Sequence, residues 1–264
     1  MGALAAGLAA AFARRAGSLS TGGQWAAFLT GTLAAAAGWR WAALLVAYFV
    51  TSTALTQLGH ERKVTLTESV LPTQRERNAL QVMTNGGLFA VAVLFGELLG
   101  DGHLFVAGLG ALSAAAADTW ATEVGTLWGG APFSIVNGRT LARGVSGGVT
   151  AVGVMASVLA SLLMAAASSF VMAPTLDSGV IVAAAVFGAG LAGSIGDSLL
   201  GATLQSKRWC EQCRMWTERR VHTCQYRTQH ARGLRWMTND TVNFLATVLG
   251  ALVALALAGP LRLR

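Results

Sequence analysis

The sequence predicts an all-α integral membrane protein, a bundle of about seven transmembrane helices with a possible short eighth at the N-terminus. Three observations carry that expectation. Of the 264 residues, 54% are hydrophobic and only 12% charged, with 32 glycines, a balance that departs from soluble averages toward lipid as the solvent. Several stretches reach or approach the roughly 20 apolar residues that cross a bilayer. Backbone groups in lipid must also be satisfied internally, and these runs are too long and too unalternating for barrel strands.

Taken in order, the opening run, 3–13, is short for a span and lacks the basic leader and cleavage site of a signal peptide. It reads as a shortened or partly embedded helix. Residues 24–37 with their flanks, and then 41–58, form the next two spans. The polar segment 59–80 follows, carrying Arg62, Lys63, Arg75 and Arg77. Arg77, Gln81 and Asn85 recur every four residues, which puts them on one stripe where the helix leading into the span 86–100 begins. The span 104–126 carries Asp118 and Glu123 near its end. Arg139 and Arg143 occupy the next connection, and Gly144, Gly147 and Gly148 open the span 145–173. The span 179–204 bears Gly193, Asp197, Gly201 and, just past it, Gln205, at steps of four. A basic polar loop, 206–236, precedes the last span, 240–259, which Asn239, Asp240 and Asn243 open. Small residues let membrane helices approach closely, so most glycines need no functional explanation. The simplest organisation is a single polytopic domain over 1–264 with 206–236 inserted before the last helix.

The net charge of +7 is explained by where the charges fall. Besides the first two basic loops, Lys207, Arg208, Arg214, Arg219, Arg220, Arg227, Arg232 and Arg235 crowd a third, while the connections near Asp101 and Asp177 carry no Lys or Arg. This alternation follows the positive-inside rule and places the three basic loops on the cytoplasmic or equivalent face. Arg14 and Arg15 join them if the first segment crosses; Arg40, Arg262 and Arg264 then lie outside. The charge is mostly topology, which argues against nucleic acid as a partner.

All three cysteines lie in the insertion, in CEQCRMWTERRVHTC (210–224). Cys210-x2-Cys213 lets two thiolates share one metal from a tight knuckle, and His222 with Cys224 could complete a tetrahedral zinc set. His-x-Cys is a tight second pair, so His230 is the alternate fourth ligand. Four protein ligands would make the zinc structural. Reduced thiols in a basic loop, or a disulfide with one thiol left over, are the alternatives.

Charges within membrane helices are costly, so an intramembrane acid marks a site by default. If the basic loops share a face, then Asp118, Glu123, Asp197, Gln205, Arg77, Gln81, Asn85, Arg143, Gly147, Gly148, Asn239, Asp240 and Asn243 all meet there. Glu97, Asp101 and Asp177 lie toward the other face, at ends or loops where a solvated charge is ordinary. Carboxylates and amide oxygens suit Mg²⁺, which usually bridges substrate phosphates. Arg and Lys neutralise phosphate oxygens, and a glycine-rich helix start offers N–H groups and a positive dipole end. The mixture points to phosphoryl or nucleotidyl transfer. Singly, each feature has a plainer reading: Gly147-Gly148 as a helix-packing pair, Asn239-Asp240 as an N-cap, Asp118 as a structural counter-ion. The Walker A and G-x-G-x-x-G patterns of soluble nucleotide folds are absent.

ADTWATEVG (117–125), RGVSGGVT (143–150), GDSLLGATLQ (196–205) and NDTVNFLATVLGA (239–251) resemble the signature blocks of an integral-membrane family, domain of unknown function 92. That family includes transmembrane protein 19 and the phytyl-phosphate kinases of vitamin E synthesis. ERKVTL (61–66) and QVMTNGG (81–87) fit its N-terminal half, and the blocks run in family order over nearly the whole chain from about Ser18. The resemblance implies a kinase that converts a prenyl monophosphate, such as phytyl phosphate, into the diphosphate, with a nucleoside triphosphate, CTP, as donor. It implies that Asp118, Glu123, Asp197 and Asp240 manage nucleotide phosphates and Mg²⁺, with Asp118, Asp197 and Asp240 as metal ligands. Lys63 and Arg143 would hold phosphate oxygens, while Gln81, Asn85, Asn239 and Asn243 position substrate or metal. The prenyl tail would lie between helices, in contact with membrane lipid. The cysteine loop looks like one present in only part of the family and not in the plant kinases. Competing expectations are a prenol kinase, a lipid cytidylyltransferase, a transporter and a zinc-dependent interaction module.

Overall fold

Each of the predicted apolar stretches becomes helix in the computed structural model, which describes residues 1–72, 76–172 and 176–259. Arg75, Arg262 and Arg264 of the charge pattern lie outside the described residues, as does the side chain of Asp177. In chain order the helices are α1 (Gly2–Arg15), α2 (Thr21–Ala37), α3 (Trp39–Gln57), α4 (His60–Thr67), α5 (Ala79–Leu99), α6 (Gly102–Trp128), α7 (Ala151–Met172), α8 (Leu176–Thr203) and α9 (Asn239–Ala258). Between α6 and α7 lie two short strands, β1 (Phe133–Ser134) and β2 (Gly148–Val149). Between α8 and α9 lie β3 (Lys207–Cys210), β4 (Met215–Thr217) and β5 (Gln229–Arg232).

The fold is a helical membrane bundle, and the helices differ in their capacity to cross. Five of them, α5, α6, α7, α8 and α9, are long and apolar enough by themselves, and α3 with α4, bent by 66°, would make a sixth if the pair is one span. At 17 residues α2 stands at the short end of the roughly 17–25 that cross a bilayer, and the opening run forms the 14-residue α1. The bend after α3 sits where Gly59 takes a left-handed backbone and the apolar run gives way to His60, Glu61, Arg62 and Lys63.

Side-chain packing makes α6 the axis of the bundle. It touches α3, α5, α7, α8 and α9, and its apolar window is 72% buried against 39–50% for the other four. Helices beside it come close enough that a Cβ on Gly193 of α8 would sit 2.3 Å from the Ala114 Cβ. Dispersion between such close backbones, rather than a hydrophobic drive, holds helices together in lipid. Toward the far end, fully buried Trp41 stacks on Phe105 with ring centroids 4.6 Å apart.

Caps and turns differ from the sequence reading at two places. The N-cap of α9 is Thr238, whose side chain accepts from the Thr241 N–H, so Asn239 and Asp240 are already helical. Gly147 and Gly148 do not open α7, which begins at Ala151. Gly144 and Gly147 adopt φ of +87° and +83°, a region that cannot continue a right-handed helix. The chain therefore turns, and Phe133–Ser134 pairs with Gly148–Val149 as a two-stranded ribbon.

The 206–236 insertion folds as a three-stranded antiparallel sheet in the order β4-β3-β5. Trp209 and Trp216 form a cross-strand pair with centroids 5.1 Å apart, the kind of contact that stabilises a small sheet. The sheet docks onto the turn after α4. The Thr217 hydroxyl and the Glu218 N–H both donate to the Val70 carbonyl, and Arg219 Nε donates to that of Glu68.

Candidate functional site

Antiparallel neighbours bring the end of α3, the start of α5, the ends of α6 and α8 and the start of α9 to one end of the bundle. There Thr56, Glu76, Arg77, Gln81, Asn85, Asp118, Thr119, Thr122, Glu123, Asp197, Asn239 and Asn243 line a polar pocket of about 250 Å³. Helix rise sets the depth of each group. At about 1.5 Å per residue, Asn85 and Asp197 sit about 9 Å inside their helix ends and Asp118 about 15 Å. The turn between α1 and α2 closes the same end, since Ser18 and Ser20 exchange backbone hydrogen bonds with Arg77.

Eight of the residues predicted to converge thus share one cavity: Arg77, Gln81, Asn85, Asp118, Glu123, Asp197, Asn239 and Asn243. The others stand behind or beside it. Lys63 is buried, and its ammonium donates to the carbonyls of Leu55 and Thr56 at 2.7 and 2.8 Å and pairs with Glu123 Oε2. Its three donors are all engaged. The Thr56 hydroxyl donates to Glu123 Oε1 at 2.7 Å, so both oxygens of that carboxylate are held. Arg143 Nη1 donates to the Thr126 carbonyl at 3.0 Å, bracing the last turn of α6. Gln205 Nε2 donates to Glu218 Oε1 at 2.7 Å. Gly147 lies against α8, where a Cβ would meet Ala202 at 2.5 Å, and Gly148 is in β2.

Among the described residues, Arg77 is the cation that lines the pocket, with the Phe49 ring 5.8 Å from its guanidinium carbon and the Thr56 hydroxyl 3.4 Å from Nη2. Opposite stand the acids. Asp197 feels the charges of Asp118 and Glu218, and among the described residues its buried Oδ2 has no hydrogen-bond partner. A buried, unpartnered carboxylate oxygen beside another acid calls for a cation or a proton. With Asn85, Asn239 and Asn243 nearby, the donor set is anionic and all-oxygen, which fits Mg²⁺. Asp118 and Asp197, both lining this pocket, could hold such an ion. Asp240 is displaced from this set and lines a second cavity.

That cavity is an apolar groove of about 500 Å³ between α5 and α9, walled by Leu80, Met83, Thr84, Gly87, Leu88, Val91, Thr241 and Phe244, with Asp240 at its polar edge. Its walls share helices with the polar pocket. Leu80, Val91 and Phe244 are exposed on the bundle surface, so the groove opens sideways toward lipid.

Sequence reasoning missed Glu218. Its Oε1 accepts from the Ser146 hydroxyl at 2.5 Å as well as from Gln205, and Lys207 Nζ donates to the Ser146 carbonyl. Burial pushes the Glu218 carboxyl above its ordinary value, against the pull of the Ser146 bond and of Lys207. No local pattern distinguishes this acid in a polar loop; its place beside Asp197 and Asp240 arises only when the sheet folds back.

In the knuckle, one ligand atom each from Cys210, Cys213, His222 and Cys224 lies within 4.8 Å of all the others. The cysteines are free thiols, and the Cys224 thiol is pulled down to about 6, first by its bond from His222. His222 Nδ1 faces Cys224 Sγ at 3.3 Å, while Nε2 lies 3.1 Å from the Ser69 carbonyl. With a metal bound, the ring proton would sit on Nε2, facing the Ser69 carbonyl, and leave Nδ1 free to ligate. The cluster could hold a metal, with His222 in the set; His230 lies on β5.

A family model described as integral membrane protein DUF92 matches residues 4–251. The chain is 32% identical over 218 residues to Protein PGR of Arabidopsis thaliana, covering 73% of this chain and 74% of that one. An uncharacterized membrane protein of Synechocystis is 27% identical over 225 residues, covering 84% and 76%. The chloroplastic Protein VTE6 of Arabidopsis thaliana is 26% identical over 246 residues, covering 90% of this chain and 64% of that one. No solved structure matches.

Proposed function

Because the chain belongs to the integral membrane family DUF92, we propose that it is a prenyl-monophosphate kinase, with CTP as donor and the prenyl diphosphate as product. The observation that carries this reading is the pairing of cavities. A polar pocket with acids, amides and a facing arginine and a lateral apolar groove both draw their walls from α5 and α9, the shape for an amphiphile with a charged head. The resemblance of the motif blocks to the phytyl-phosphate kinases supplies the reaction. A groove of this size falls in the range of about 300–1,000 Å³ that takes a drug-sized ligand.

In this reading an oxygen of the acceptor monophosphate forms a bond to the terminal phosphorus of the donor. The bond from that phosphorus to its bridging oxygen breaks, and the nucleoside diphosphate leaves. The acceptor is already anionic, so positioning and charge neutralisation dominate. Bound Mg²⁺ supplies neutralisation of the donor phosphates. Asp118 and Asp197 hold it; Arg77 meets the acceptor phosphate; Asn85, Asn239 and Asn243 orient both phosphates. Lys63 pairs with Glu123 and keeps α4 seated. The cysteine knuckle holds a structural Zn²⁺. The basic end of the bundle faces the cytoplasm or its equivalent.

A transporter needs a polar path near the midplane. Residues 105–117 of α6, below Asp118, are buried and apolar except for Ser113, which favours the enzyme. Assay of the purified protein in detergent with CTP or ATP against prenols and prenyl monophosphates separates the readings. Diphosphate from a monophosphate is expected; phosphorylation of the alcohol alone, or a cytidylyl-lipid product, would replace it.

A further inference from the structure

We propose that the cysteine knuckle is a metal-dependent clamp that holds the α4 turn, behind Glu123, and the end of α8, beyond Asp197, in register around the polar pocket, with Glu218 as its positioning residue. The inference rests on the zinc reading of the knuckle and goes beyond it by giving the metal a task in the pocket. One jaw closes on the turn after α4. Besides the bonds to Glu68 and Val70, His222 reaches Ser69 through the ring nitrogen that faces away from the thiols. That turn continues α4, which seats Lys63 on Glu123. The other jaw is Glu218 itself, whose single oxygen Oε1 takes hydrogen bonds from Ser146 and from Gln205. Those two residues belong to the turn that Gly147 packs against α8 and to the chain just beyond α8. Asp197 lies six residues before the end of that helix.

The clamp needs its metal for a physical reason. Strands of three or four residues around one tryptophan pair bury too little to fold alone, and small metallo-domains gain their folding free energy from the ion. The four ligand atoms bridge β3, the hairpin after it and the His222 turn, so one ion ties the sheet to the segment that carries the α4 jaw. Loss of the ion releases both jaws, whereas loss of the Glu218 carboxylate releases one.

Hydrogen exchange on the full-length protein in detergent tests this, with zinc content read by elemental analysis. Stripping zinc is expected to speed exchange by roughly tenfold or more in peptides covering 60–70 and 143–148, as local opening predicts, while 86–96 in α5 stays protected. Glu218→Gln, retaining zinc, should loosen 143–148 but leave 60–70 unchanged, and Glu218→Asp should restore part of that protection. The proposal is overturned if the protein binds no zinc, if stripping leaves both segments unchanged, or if Glu218→Gln affects both segments equally or neither. Failure of the kinase reading shows separately, as absence of prenyl diphosphate from protein whose exchange pattern follows the clamp.

Discussion

At the scale of single residues, the proposed kinase divides the pocket into groups that would face substrate and groups that would hold those groups in place. Asp197 belongs to the first kind. Replacing even an outer-shell partner of a metal typically costs about 10–100-fold, so Asp197→Asn, which would remove a direct ligand, should lower turnover by about 100-fold or more and raise the Mg²⁺ requirement, with helical content unchanged. Lys63 belongs to the second. Removing one member of a buried ion pair costs about 3–5 kcal/mol, so Lys63→Met should lower thermal stability in detergent, and Lys63→Met with Glu123→Leu should recover much of the loss. Weakened substrate affinity at unchanged stability would instead make Lys63 a phosphate ligand. The membrane acids were legible in the sequence because a carboxylate inside an apolar run has no ordinary explanation. Glu218 and Thr56 were not, since an acid in a basic loop and a threonine at a helix end are commonplace. The engagement of Lys63 was hidden for a different reason: its partners are two carbonyls on α3 and an acid on α6, which no spacing reveals.

At the scale of elements, apolar length marked the helices well, and turn chemistry was the weaker guide. The cluster Gly144, Gly147 and Gly148 was read as a helix start, yet positive φ at the first two makes it a turn packed under α8. A side chain at position 147 would be strained by φ and would collide with Ala202. Gly147→Val should therefore cost about 1–3 kcal/mol in backbone strain alone, seen as a lower unfolding midpoint. The groove makes a prediction of another kind. A leucine at Gly87 would fill space between α5 and α9, where the nearest obstacle to its Cβ is the flexible end of Met83. Gly87→Leu should raise KM for geranylgeranyl phosphate much more than for geranyl phosphate and leave KM for CTP unchanged. Equal effects on both lipids would place the tail elsewhere.

At the scale of the whole molecule, alternating basic loops made one polar face legible, and the structure brings the ends carrying those loops to one end of the bundle. The number of crossings was less legible, because α2 is short and α3 bends into α4 where polar residues begin. Membrane-impermeant maleimide, read by peptide mass, should reach Thr65→Cys from the cytoplasmic side and Glu97→Cys from the opposite side. Labelling of both from one side would contradict the orientation. The central claim is transfer of a terminal phosphate to a lipid phosphate at the α5–α9 end of the bundle. Its most direct measurement is incubation of purified protein with Mg²⁺, terminally radiolabelled CTP and a prenyl monophosphate. Label should appear in the prenyl diphosphate with wild type and fall to background with Asp197→Asn. Folded wild-type protein that labels no lipid from any nucleoside triphosphate, or an Asp197→Asn variant as active as wild type, would contradict it.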